Sequence, residues 1–374
     1  MGKKPLRILV VDDTVVYRKT VSDILADIPD VEVVGTANNG KIAMRKVASL
    51  KPDLLTLDIE MPEMNGLDVL RAMKTEAPDV GAIILSTLTH KGGDLTIKAL
   101  ELGAFDYITK PETGSIEESK NAIKKTLALL IKSFSRQLEM RKILKGSNYN
   151  KAYQASATSS YLSDAPLNRS SQSVSPTPRK TQAEIVGIGV STGGPKALSE
   201  MLPKIPETIN VPILIVQHMP PIFTDSLAKS LDMRCAITVK EAMDGEVVRP
   251  NVAFIAPGGK QMKVVASADG LNRIIRITDD PPENSCKPSV DYLFRSIAEH
   301  YVGRAAGVIM TGMGSDGTLG LRMMKRNGSY IIAQDEPSCI VFGMPKKPID
   351  EGIVDTIAPL ERIADEICSS VKPV

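Results

Sequence analysis

Ser191 lies where an apolar run, residues 185–190 (I-V-G-I-G-V), gives way to Ser191-Thr192-Gly193-Gly194-Pro195. The run is short enough for one buried strand. The two glycines with Pro195 then turn the chain into a helix over residues 195–202. A serine on such a corner has two uses. Its hydroxyl can act as a nucleophile beside free backbone N–H groups, or the corner can bind an anion while Ser191 only caps the helix. The stretch by itself fits both. A nucleophile needs a base, and the chain has only three histidines. His90 falls in the N-terminal half, and His300 closes a helix, where a cation suits the dipole. His218 follows the apolar run 211–216 and so shares the rim of Ser191. For a carboxylate to orient it, Asp316 and Asp335 both follow apolar runs. Asp316, inside the glycine-rich G-M-G-S-D-G of residues 312–317, is preferred narrowly.

A second set of reactive groups recurs at the ends of short apolar runs in the first third of the chain. Asp12 and Asp13 follow residues 6–11, and Asp58 follows residues 54–57. Ser86, with Thr87 beside it, follows residues 82–85, and Lys110 follows residues 107–109. Three carboxylates converging on one rim suit a hard divalent cation such as Mg²⁺. An ammonium and a hydroxyl nearby suit a phosphoryl group, with one of the aspartates as its acceptor.

The elements that must position these groups alternate regularly. Five apolar runs and five helical patterns up to about residue 130 predict a doubly wound parallel sheet, which binds ligands at the carboxyl ends of its strands. From residue 133 the apolar period weakens. Residues 146–181 are rich in Ser, Thr, Asn, Gln and Pro and predict a flexible linker. Alternation resumes at residue 183, giving a second α/β domain with a mostly parallel sheet and an antiparallel insert expected near residues 236–278.

The totals narrow the class of function. The net charge of +2, from 46 basic and 44 acidic residues, supplies no field for nucleic acid, and without Trp there is little to stack bases on. Four scattered cysteines make no zinc motif and fit a reducing compartment. No signal peptide or membrane-length apolar run is read, so a cytoplasmic protein that is not membrane-embedded is expected.

Over residues 5–130 these motifs resemble a response-regulator receiver domain. The resemblance implies a flavodoxin-like fold, Asp58 as phosphoacceptor, and Mg²⁺ held by Asp12, Asp13 and Asp58. It also implies Ser86 as the switch hydroxyl, Lys110 as the phosphate contact and Tyr107 as a switch aromatic. Thr87 remains a rival for the hydroxyl role, and ordinary packing explains Tyr107 as well. Over residues 184–371 the set G-V-S-T-G-G, V-Q-H-M-P, F-I-A-P-G, M-T-G-M-G-S-D-G and I-A-Q-D-E-P-S-C-I-V-F-G-M-P resembles the catalytic domain of chemotaxis protein-glutamate methylesterases.

That resemblance implies a Rossmann-like fold and the triad Ser191, His218 and Asp316. Thr192 and Met313 would line the site, with Met313 N–H in the oxyanion hole. It implies hydrolysis of glutamyl γ-methyl esters on chemoreceptors, deamidation of receptor glutamines, and a chemotaxis histidine kinase as phosphodonor. No cofactor is expected for the ester chemistry. Many relatives carry His where this chain has Gln261, for which a supporting, shape-filling role is expected.

Overall fold

The computed structural model describes residues 4–110, 116–146 and 182–371. The first unit alternates strand and helix throughout: β1 (Leu6–Val11), α1 (Val15–Ala26), β2 (Val31–Ala37), α2 (Gly40–Leu50), β3 (Leu54–Asp58), α3 (Gly66–Glu76), β4 (Gly81–Ser86), α4 (His90–Glu101), β5 (Asp106–Thr109) and α5 (Ile116–Gly146). Its strands pair in parallel in the order β2-β1-β3-β4-β5. β1 and β3 are buried on both faces, which is why they read as unbroken Leu/Ile/Val runs. The order reverses between β1 and β3, so the crevice at that switch point lies between the ends that carry Asp12, Asp13 and Asp58. The predicted linker, residues 146–181, lies outside the described residues except for Gly146, the last residue of α5.

The second unit begins with β6 (Ile185–Val190) and α6 (Gly194–Met201). It continues through β7 (Ile213–Gln217), α7 (Phe223–Asp232), β8 (Thr238–Glu241), β9 (Val252–Ile255), β10 (Gln261–Ala266), β11 (Arg273–Thr278) and α8 (Val290–His300). The chain then forms β12 (Ala305–Ile309), α9 (Thr318–Arg326), β13 (Tyr330–Gln334), α10 (Lys346–Asp350), β14 (Thr356–Ala358) and α11 (Leu360–Ser370). Seven strands form one parallel sheet in the order β14-β13-β12-β6-β7-β9-β8. The antiparallel insert is narrower than expected. Only β10 and β11 pair antiparallel, whereas β8 and β9 join the main sheet in parallel. Both are short, so periodicity could not tell a hairpin from sheet strands.

The core lies on both faces of this sheet. Ile188, Ile215 and Val308 pack with the α6 and α7 side, and Leu214, Phe254 and Phe294 with the α8 and α9 side. Each fully buried large side chain contributes about 1.5–3 kcal/mol. Gly187 and Gly189, the small residues of β6, let α8 approach. A Cβ on Gly189 would lie 2.4 Å from Val290. Among the described residues no helix is long and apolar enough to cross a membrane.

The two units touch through α4, which packs on α6 and α7. Tyr107 stacks on Phe223 with ring centroids 5.2 Å apart and planes 10° apart. Glu101 accepts from Ser230 and from Arg234, the latter at 2.7 Å. Arg136 of α5 pairs with Glu336 beyond β13.

Candidate active site

Ser191 is held at the switch point of the larger sheet, between β6 and β12. Its N–H donates to the Thr311 carbonyl at 3.0 Å, and its own carbonyl accepts from Gly194 N–H at 2.8 Å, closing the corner. Gly193 takes φ +76°, a conformation that favours glycine. Gln217 braces the corner from the neighbouring strand, its Nε2 donating to the carbonyls of Ser191 and His218. Val190 and Gln217 are register partners, so Ser191 and His218 emerge side by side from adjacent strand ends.

His218 is fixed by Asp316. Its Nε2 lies 2.9 Å from Asp316 Oδ2. The same carboxylate sits at the N-terminus of α8. Its Oδ2 also accepts from Val290 N–H at 2.7 Å, and its Oδ1 accepts from Asp291 N–H, Gly317 N–H, Ser289 Oγ and Asn284 Nδ2. Six donors and a helix dipole keep a buried anion charged. Burial alone would raise the Asp316 carboxyl, but the bond to His218 and the surrounding donors hold it below the usual carboxylate range. Burial pushes the His218 imidazolium down. Its bonds to Asp316 and Cys286 outweigh this and hold it up at about 9. Asp335, the rival orienter, instead accepts from Ser338 N–H and Oγ in its own loop.

With Nε2 committed to Asp316, the nitrogen of His218 left for proton transfer is Nδ1. In this structure Nδ1 faces Cys286 Sγ at 3.7 Å. Ser191 and His218 are adjacent, but no hydrogen bond joins their side chains among the described residues. Reaction geometry of this kind tightens when substrate enters. Thr192 is half-buried, and its carbonyl accepts from Thr311 Oγ1 at 3.0 Å. Met313 follows Gly312, whose missing side chain matters. A Cβ there would lie 2.8 Å from Ser191 Cβ and 2.3 Å from Met344 Sδ.

Several supporting residues escaped the sequence reading: Gln217, Asn284, Ser289, Gly312 and Gly343. Gly343 stands in the quoted I-V-F-G-M run, and a Cβ on it would lie 2.6 Å from the Gly312 carbonyl. Gln261 is fully buried. Its Oε1 accepts from Ser289 N–H at 2.8 Å and its Nε2 donates to the Pro281 carbonyl at 3.0 Å, so it supports the Asp316 cradle without touching His218.

In the smaller unit, ligand atoms of Asp12, Asp13 and Asp58 converge within 4.8 Å of one another. Lys110 Nζ lies 2.8 Å from Asp12 Oδ2 and 2.7 Å from Asp58 Oδ2. Burial pushes Asp58 up to about 6 against the pull of Lys110. Ser86 lines the same 490 Å³ cavity as Asp58 and Lys110. Its hydroxyl is turned toward α4, accepting from Thr96 Oγ1 at 2.6 Å, and Thr87 Oγ1 contacts Thr89 instead. Tyr107 is half-buried against Phe223.

A CheB methylesterase family model matches residues 186–367, and a response regulator receiver domain model matches residues 8–123. A protein-glutamate methylesterase/protein-glutamine glutaminase of Desulfotalea psychrophila is 52% identical over 370 residues, covering 99% of both chains. The chain belongs to this family. The Bacillus subtilis protein of the same name is 43% identical, covering 98% of this chain and 99% of its own. Of solved structures, the Thermotoga maritima CheB methylesterase catalytic domain is 41% identical, with TM-score 0.49, covering 51% of this chain and 100% of its own. The chain joins a five-stranded receiver sheet to a larger parallel sheet.

Proposed function

We propose that Ser191, His218 and Asp316 carry the methylesterase and glutaminase reactions of this family on chemoreceptors in chemotactic adaptation. The observation that supports it most is the six-donor cradle that aims Asp316 at His218 on the rim of Ser191. Ser191 Oγ attacks the γ-carbonyl of a glutamyl methyl ester. His218 Nδ1 takes the serine proton and returns it to the leaving methanol, while Asp316 holds Nε2–H and balances the imidazolium. Backbone N–H groups beside Thr192 and Met313 N–H receive the oxyanion, each worth about 3 kcal/mol. Water then cleaves the acyl-enzyme by the same proton path. A glutamine side chain follows the same course with ammonia leaving.

In the receiver, Asp12, Asp13 and Asp58 would hold Mg²⁺. The oxygen set is hard and its ligand atoms converge within 4.8 Å of one another, which fits a site built for a cation. The cation supplies charge neutralisation for phosphoryl transfer to Asp58 from a chemotaxis histidine kinase. Lys110 then contacts the phosphoryl group, and Ser86 leaves Thr96 to meet it, with Tyr107 following. We assign the receiver to residues 5–130, a helical extension and linker to 131–182, and the catalytic domain to 183–371, all acting in the cytoplasm.

Ser191→Ala should lower methanol release from methylated receptor membranes by roughly 10⁴-fold or more. Unchanged release would remove Ser191 from the mechanism. Release from other methyl-esterified proteins but not from receptor membranes would reassign the substrate.

A further inference from the structure

We propose that Cys286 and His218 form a soft-metal site that shuts off the esterase when Zn²⁺ or a similar cation binds. The consequence for catalysis rests on reading His218 as the base; the binding itself does not.

Cys286 Sγ and His218 Nδ1 are 3.7 Å apart. A tetrahedral cation about 2.3 Å from sulphur and about 2.0–2.1 Å from nitrogen needs its two ligands about 3.6 Å apart. The pair therefore matches before any metal arrives. The nitrogen concerned is the free one, because Nε2 is already bonded to the Asp316 carboxylate. That arrangement, a carboxylate behind a ligating imidazole, fixes the tautomer and strengthens the ligand. Ligand atoms of His218, Cys286 and Asp316 all fall within 4.8 Å of one another.

The sulphur is held in place by construction. Glu283 and Cys286 exchange both backbone hydrogen bonds, at 3.1 and 2.7 Å, across a two-residue turn. Asn284 and Ser285 both take positive φ, +51° and +63°, which is strained for a serine. Asn284 Nδ2 anchors the turn to Asp291 and Asp316 at 2.9 and 3.0 Å. Cys286 Sγ is thereby set beside His218 Nδ1. It remains half-exposed, so a cation can reach it from solvent.

The ligand types decide the class of cation. Thiolate and imidazole select Zn²⁺, Cd²⁺ or Co²⁺ over Mg²⁺. Among the described residues the other candidate cluster is the all-oxygen receiver rim, which favours the hard cation. The same chain would thus sort two kinds of metal between its two units. On binding, the Cys286 thiol and the His218 imidazolium each lose a proton to solvent, and the cation takes the thiolate and the Nδ1 lone pair. His218 then cannot accept the Ser191 proton. Water or the ester carbonyl completes the coordination.

The test uses the full chain with Mg²⁺ in excess, so that the receiver rim is filled. Titration with Co²⁺ should produce a thiolate-to-cobalt absorption band in the near ultraviolet, displaced by Zn²⁺. Cys286→Ser and Cys286→Ala should abolish the band, and Ser191→Ala should keep it. Zn²⁺ should suppress methanol release, and in each Cys286 variant, normalised to its own metal-free rate, the inhibitory midpoint should rise roughly tenfold or more. A band that persists without Cys286, or equal Zn²⁺ sensitivity with and without the thiol, overturns the proposal. A chain that gains the band but releases no methanol when metal-free keeps the site and removes the esterase reading instead.

Discussion

His218 can serve as a base only when neutral, and Asp316 with Cys286 holds it protonated up to about pH 9. Below that value the fraction of free base rises with pH, so kcat/KM should climb about tenfold per pH unit toward an alkaline plateau. A profile already flat at neutral pH would contradict this. Asp316→Asn leaves the shape of the cradle but can no longer fix Nε2–H or balance the imidazolium. It should lower kcat by about 10⁴-fold, the cost of a mis-set tautomer. The glycine-rich residues 312–317 favour that role only narrowly. Asp316 and Asp335 look alike in sequence because what separates them is the N-terminus of α8, which begins 26 residues before Asp316. Asp316 meets three donors there, from Ser289, Val290 and Asp291, and Asp335 merely caps its own turn.

At the scale of elements, the helix that supplies those donors is capped by Ser289, whose Oγ bonds both Tyr292 N–H and Asp316. Ser289→Ala should cost about 1–2 kcal/mol in a denaturant titration and depress kcat more than KM rises. Gly312→Ala should inactivate for a different reason, since its methyl would press on Ser191. Overpacking of this kind costs about 1–3 kcal/mol, read as a fall in thermal midpoint together with lost turnover. Strand positions were legible to within a residue or two because buried parallel strands are unbroken apolar runs. Ser191, His218 and the receiver aspartates were legible for the same reason, as each ends such a run. Helix α4 begins at His90, just ahead of two glycines. Gly92 and Gly93 argue against helix locally, yet a Cβ on Gly92 would strike the Thr87 carbonyl at 2.3 Å, and one on Gly93 would lie 3.0 Å from Ser226 Oγ. Those glycines answer to packing that a local pattern does not contain.

For the whole molecule, the contact between units is modest and should be easy to loosen. The Glu101–Arg234 pair is partly exposed and worth about 0–1 kcal/mol, and the Tyr107–Phe223 stack about 0.5–1.5 kcal/mol. Tyr107→Ala should therefore raise the activity of the unphosphorylated chain toward that of a truncated chain beginning at residue 183. Methanol release without phosphodonor measures it, and unchanged release would mean that this face does not restrain the esterase. Strand β5 reaches from the receiver rim to the catalytic domain. Asp106, at its start, is buried, and the backbone N–H of Gly193, two residues past Ser191, pulls its carboxyl down against burial. Ile340, beside Gly193, packs against the receiver core. Lys110, just past the far end of β5, grips Asp58. From Asp106 to Lys110 is four residues, about 13 Å of extended chain. The part that would feel a phosphoryl group on Asp58 and the part that leans on the esterase corner are thus two tips of one short rod. A tilt of that rod moves both at once, so the signal needs no relay through the body of either domain.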